Sequence, residues 1–150
     1  MKTQINFLNT TKYKFRYLKT FELILNTVEK EEKFKKPLTL DLTLIDDVQM
    51  RQYYLEYKGK DKTTDILSFP FTNSFSTSFL KQKFLGEILI SYQKVQQQAK
   101  EYRHSITREF CYLFTHGIYH LLGFDHMTKE EENIMNQKVD KIMKLLQIER

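Results

Sequence analysis

A chain of 150 residues suits one domain with a real hydrophobic core. Apolar residues make up 41% and charged residues 29%, interspersed along the chain, which excludes bulk disorder. No apolar run approaches membrane-spanning length, Met1–Asn6 carries no apolar signal region, and the one cysteine, Cys111, leaves no disulfide framework. The expectation is a cytoplasmic protein with no membrane partner. The net charge of +5 favours an anionic partner mildly. The excess lies in residues 1–36, nine Lys/Arg against four Glu, and in 81–108, six against two, while 128–150 balances.

Gln4 to Leu8 alternates as a short strand. Asn9-Thr10-Thr11 offers a cap for a helix from about Lys14 to Lys33, in which Tyr17, Phe21, Ile24, Leu25 and Val28 recur at helical spacing. Pro37 breaks that pattern. Leu38 to Ile45 then alternates, with Leu38, Leu40, Leu42 and Leu44 on one face. Asp46 with Gln49 three residues on opens a short helix to about Tyr57, which Gly59 stops. Residues 58–65 form a charged loop. Ile66 to Phe71 is a third strand, ended by Pro70. Thr72 to Gln82 is Ser/Thr-rich and aperiodic, a loop whose Phe75 and Phe79 either stack on bases or, the better reading, pack on the core.

Phe84 to Ile90 is a fourth strand, with Ile88 and Ile90 on one face and Glu87 and Leu89 on the other. A helix follows from Tyr92 to Tyr102, and Ser105 or Thr107 caps the next. Thr128-Lys129-Glu130-Glu131 starts a last helix, whose core stripe is Met135, Val139, Ile142 and Leu146. The chain shows no internal repeat and no interdomain linker. Strands alternating with helices predict a single α/β (α+β) domain over residues 1–150, a four-stranded mixed sheet flanked by about five helices. The run Ile66–Ile90 supplies one antiparallel pair.

Three of the four histidines fall within eleven residues, His116, His120 and His126. On a helix, His116 and His120 lie one turn apart on the same face. Gly123 can take a left-handed conformation and stop the helix, so His126 can swing back toward them. From Phe110 to Leu122 there is no Asp, Glu, Lys or Arg, so this helix should be buried. Buried imidazoles without partners cost about 1–3 kcal/mol each, and a shared metal satisfies all three. The pattern describes an open zinc site with a fourth position for water. His104 precedes the helix and reads as solvent-facing. Cys111 reads as a small buried hydrophobe.

The ligand spacing also matches zinc peptidases of the metzincin class, but the general-base Glu that follows their first His is here Gly117. A peptidase therefore lacks its base. The stretch His116, Gly117, His120, Gly123, Asp125, His126 resembles the YbeY family of metallo-endoribonucleases, as do Gly59-Lys60-Asp61-Lys62 with Thr64–Pro70, and Leu85-Gly86-Glu87-Ile88. The resemblance runs along the whole chain. It implies one zinc ion held by three histidines and a single-stranded RNA substrate rather than DNA. It further implies work on 16S ribosomal RNA 3′-end maturation and ribosome quality control, with the ribosome or its proteins as partner. Lys58 stands where the family usually has Arg, which keeps the charge but loses a planar bidentate grip on phosphate. Glu87 stands where Asp is common.

The expected chemistry is hydrolysis by a zinc-activated water, since zinc lowers the pKa of bound water to about 7. Lys58 would offset charge on the phosphate. Asp125 would orient an imidazole or relay a proton, and Glu87 or Asp65 could do the same from a strand end. The blander readings are a surface lysine at Lys58 and a turn residue at Asp125. A zinc-stabilised, non-catalytic ribosome-associated factor is a third class. Three ligands rather than four favour the enzyme.

Overall fold

The computed structural model describes residues 2–72 and 80–148. The chain-order elements are β1 (Gln4–Asn9), α1 (Leu18–Glu31), β2 (Leu38–Ile45), α2 (Asp47–Lys58), β3 (Ile66–Pro70), β4 (Lys83–Ser91), α3 (Tyr92–Tyr102), α4 (Ile106–Leu121) and α5 (Lys129–Leu145). The four strands form one mixed sheet in the order β1-β2-β4-β3. β1 runs parallel to β2, with Ile5 beside Leu40, and β2 runs parallel to β4, with Leu42 beside Ile88. β3 lies antiparallel to β4, with Ser68 beside Ile88, and forms the edge. The mixed sheet with its one antiparallel pair is the expected one.

The two faces of the sheet carry unequal cores. Leu38, Leu40, Leu42 and Leu44 of β2 are at most 1% exposed and join Ile88 and Ile90 of β4. Against them pack Phe21, Ile24, Leu25 and Val28 of α1, Phe110, Phe114 and Ile118 of α4, and Val139 and Ile142 of α5. The other face holds a small cluster, Ile45, Met50, Leu67 and Leu89, under Tyr54 and Phe69. Among the described residues α2 packs on that side, through Met50 and Tyr54, and Asp41 and Glu87 pair on the same face of β2 and β4.

The helix ends follow their capping chemistry. Asp46 Oδ1 accepts from the Gln49 amide while Gln49 Oε1 accepts from the Asp46 amide, a closed capping box. Gly59 ends α2 at φ 69°. Ser105, not Thr107, caps α4 through the Arg108 amide, and Thr128 caps α5 through the Glu131 amide. In α5 the buried stripe is Met135, Val139, Ile142 and Met143, with Leu146 half-buried just beyond.

α1 starts later than its periodicity suggests. Asn9 caps no helix: its Oδ1 accepts from the amide and hydroxyl of Thr11, and its Nδ2 donates to the Tyr13 carbonyl. That local turn competes with helix, as short polar side chains do. Phe15 then packs on Phe7, Phe21 and Phe110 before α1 begins at Leu18. Phe75 and Phe79 lie outside the described residues.

Candidate functional site

The histidine helix is held against the sheet by the residue between its ligands. A Cβ on Gly117 would come 2.9 Å from Ile66 Cδ1, 3.1 Å from Ile88 Cδ1 and 3.2 Å from Ser68 Oγ. The glycine thus lets α4 sit directly on β3 and β4. The position that carries the general-base Glu in the peptidases is thus crowded by Ile66, Ile88 and Ser68, which leaves little room for a carboxylate side chain.

The turn after α4 is built to return the chain. Gly123 stands at φ 99° and its amide donates to the His120 carbonyl, while the Phe124 amide donates to the Tyr119 carbonyl. These two bonds form a left-handed helix cap, and the expected apolar contact accompanies them: the Phe124 ring meets Tyr119 edge-on at 5.5 Å. Lys138 Nζ lies 5.1 Å from the Phe124 ring centre and salt-bridges Glu32, which also accepts from the Tyr119 hydroxyl. The turn is therefore pinned from α1 and α5. Asp125 Oδ1 accepts from the His126 amide at 2.7 Å, which fixes the last ligand's backbone.

The three imidazoles converge. His116 Nε2 and His120 Nε2 are 3.0 Å apart, and one nitrogen from each of the three rings lies within 4.8 Å of the others. Tetrahedral zinc with Zn–N of about 2.0–2.1 Å needs nitrogens roughly 3.3 Å apart, so the donors need only a small adjustment. The two helix donors are held toward the neutral form that a metal takes. Burial, with help from His120 and His126, holds His116 down at about 4, so it is a neutral ligand at pH 7. Burial also lowers His120, with His126 and more weakly Lys58 in the same direction, against Asp125 and a backbone hydrogen bond to Phe124. That backbone bond orients the ring, as ligand histidines usually require. The residues fit a zinc ion.

A cleft of about 1110 Å³ opens beside these rings along the free edge of β3. Its inner wall is His116, His120, Asp125 and His126. Its outer wall is Tyr54, Tyr57 and Lys58 from α2. Lys58 lines the same cleft as the histidines, close enough to act on His120 electrostatically, and Asp65 lines it too. Tyr112 of α4 and Glu132 and Asn136 of α5 also line it; no spacing in the sequence marked them, because only the packing of α5 beside α4 brings them to the histidines.

Glu87 is not among these residues. Ile88 contacts α4, so its neighbour Glu87 points to the opposite face, between Asp41 and Phe69 of the flanking strands. Burial and the Asp41 carboxylate raise its pKa. A role beside the histidines does not fit that placement. His104 is half-buried against the Tyr102 ring rather than solvent-facing, and stands apart from the cluster. Cys111 is fully buried, and burial pushes its thiol up to about 12. No described helix is long and apolar enough to cross a membrane.

A mixed sheet with three convergent imidazoles at the mouth of an open cleft is the architecture of a metal-dependent hydrolase. The profile of the Endoribonuclease YbeY family matches residues 4–147. An endoribonuclease YbeY of Mycoplasma mobile is 46% identical over 150 residues, covering all of this chain and 99% of the relative. That of Mycoplasmopsis pulmonis is 43% identical over 146 residues, 97% of this chain and 98% of the relative. The solution structure of a Thermotoga maritima protein aligns over 96% of this chain and 92% of its own, with a TM-score of 0.63 at 22% identity, which shows a shared fold. The chain belongs to the YbeY family of endoribonucleases, hydrolases that act on RNA.

Proposed function

We propose that this chain is a zinc-dependent, single-strand-specific endoribonuclease of the cytoplasm that matures the 3′ end of 16S ribosomal RNA and serves ribosome quality control. The observation that carries it is the convergence of His116, His120 and His126 in one open cleft that Lys58 also lines. The three histidines would hold zinc, which when bound supplies a Lewis acid and a water of lowered pKa. Lys58 offsets the charge that develops on the phosphate, as a point charge rather than a fork. Asp125 keeps His126 in place through its amide and biases His120 electrostatically, so it is a positioning residue. Asp65 lines the same cleft and would orient an imidazole or relay a proton. The basic segments 1–36 and 81–108 suit the polyanion and the ribosome around it.

The test is cleavage of single-stranded RNA by purified protein, with and without a zinc chelator, beside a His116→Ala preparation. Cutting lost in both treatments places the activity at this cluster. Equal cutting in every sample would mean that a contaminant does it and would sink the assignment.

A further inference from the structure

We infer that the outer wall of the cleft is a nucleobase-stacking subsite, with the open face of the Tyr57 ring taking the base next to the phosphate that Lys58 meets. The inference rests on the endoribonuclease reading and adds how the strand is gripped. Tyr57 is 59% exposed, an unusual state for a large aromatic ring with a neighbouring ring to pack on. Its ring centre lies 4.3 Å from that of Phe69 at 40°, so one face is backed and the other is open. Phe69 is itself partly buried against the small core of Met50, Leu67 and Leu89, which supports it from behind.

The surroundings specify the occupant. Tyr54, one helical turn earlier, lines the same cleft, and Lys62 Nζ lies 5.5 Å from its ring centre. Rings flanked by Lys58 and Lys62 suit a ligand that carries both flat π-surfaces and negative charge, which a nucleic acid strand does and an apolar peptide does not. Each nucleotide brings one base and one phosphate, matching one ring and one cation at adjacent positions. The backbone there is set: Gly59 caps α2 at φ 69°, and Arg51 holds Asp61 through two bonds of 2.6 and 3.0 Å, tying the following loop back to the helix. A base in a duplex is already stacked and paired, so such a platform accepts only unpaired nucleotides.

The experiment compares the wild-type protein, Tyr57→Leu and Tyr57→Phe on two probes. One is a short single-stranded RNA, intact or with an abasic site placed in turn on either side of the cut. The other is the same oligonucleotide carrying 2-aminopurine, whose fluorescence falls when it stacks. Removing one stacked base should weaken KM about tenfold for Tyr57→Leu, with kcat nearly unchanged, while Tyr57→Phe matches wild type. The loss should vanish at one abasic position, and Tyr57→Leu should leave 2-aminopurine bright. Wild type by itself should show the same rise in KM at that one abasic position, which a folding defect in a variant cannot imitate. If wild type cuts RNA but Tyr57→Leu matches it in KM and quenching, the platform is wrong and the nuclease stands. If wild type cuts nothing yet quenches through Tyr57, the nuclease reading fails and the platform stands.

Discussion

The inner wall of the cleft, α4 and the turn after it, is sealed against the large core, with Phe110, Phe114, Ile118 and Tyr119 fully buried. The outer wall, the end of α2, stands in solvent: Tyr57 and Lys58 are exposed and only Met50 of that helix is buried. The difference teaches how the work is divided. Metal ligands must hold their geometry before anything binds, so His116 and His120 sit on a packed helix and the exposed His126 is held by the Asp125 bond to its amide. Groups that meet a flexible polyanion gain from reach and from water, so they sit where packing is thin. Changes on the inner wall should therefore remove the metal or the fold, and changes on the outer wall should alter rates on an intact protein.

The most damaging change to activity should be His116→Ala, which leaves two ligands and lowers cleavage by roughly a thousandfold, with zinc content falling in parallel by elemental analysis. Full zinc occupancy in that variant would break the comparison at its base. Lys58→Ala comes next: zinc and melting temperature unchanged, kcat down about a hundredfold, and Lys58→Arg at least as active as wild type. Gly117→Leu drives a side chain into Ile66 and Ile88, so stability should drop by about 1–3 kcal/mol, read as a midpoint shift in denaturant. A variant as stable as wild type would show that α4 is not seated as tightly as its contacts indicate.

The smallest effect belongs to the far face. Glu87 has a raised pKa, so its ionised form is disfavoured in the fold, and stability is lost as pH rises through the carboxylate range. Glu87→Gln should gain roughly a few tenths of a kcal/mol at pH 7 by relieving the burial of a charged group and its water-screened repulsion from Asp41, with no gain below about pH 4 and no change in cleavage. A large loss of kcat would return Glu87 to the site.

Much of this was legible because it is local. The Leu38–Leu44 alternation, the Asp46–Gln49 box and Gly123 after an apolar helix each encode one short-range rule. The three histidines were legible for the same reason, since two lie a helical turn apart and the third follows the stop. Alternation also showed that Glu87 and Ile88 face opposite ways. It could not show which of the two α4 would cover, because that depends on packing between elements distant in sequence. Tyr57 escaped notice for a related reason. Its ring acquires meaning only through Phe69, twelve residues on and across a loop. The late start of α1 reflects a competition between Asn9 and the helix that periodicity does not weigh.

The sealed thiol of Cys111 makes the protein its own stopwatch. It lies on α4 one turn and a residue before His116, fully buried, so a thiol reagent can reach it only when the packing around that helix lifts open. An ion that binds the three imidazoles only in the closed state makes lifting rarer by a factor of one plus the free ion concentration over its dissociation constant. The half-time of labelling at graded zinc concentrations would therefore read out the affinity of the site with no nucleic acid present and no signal from the metal.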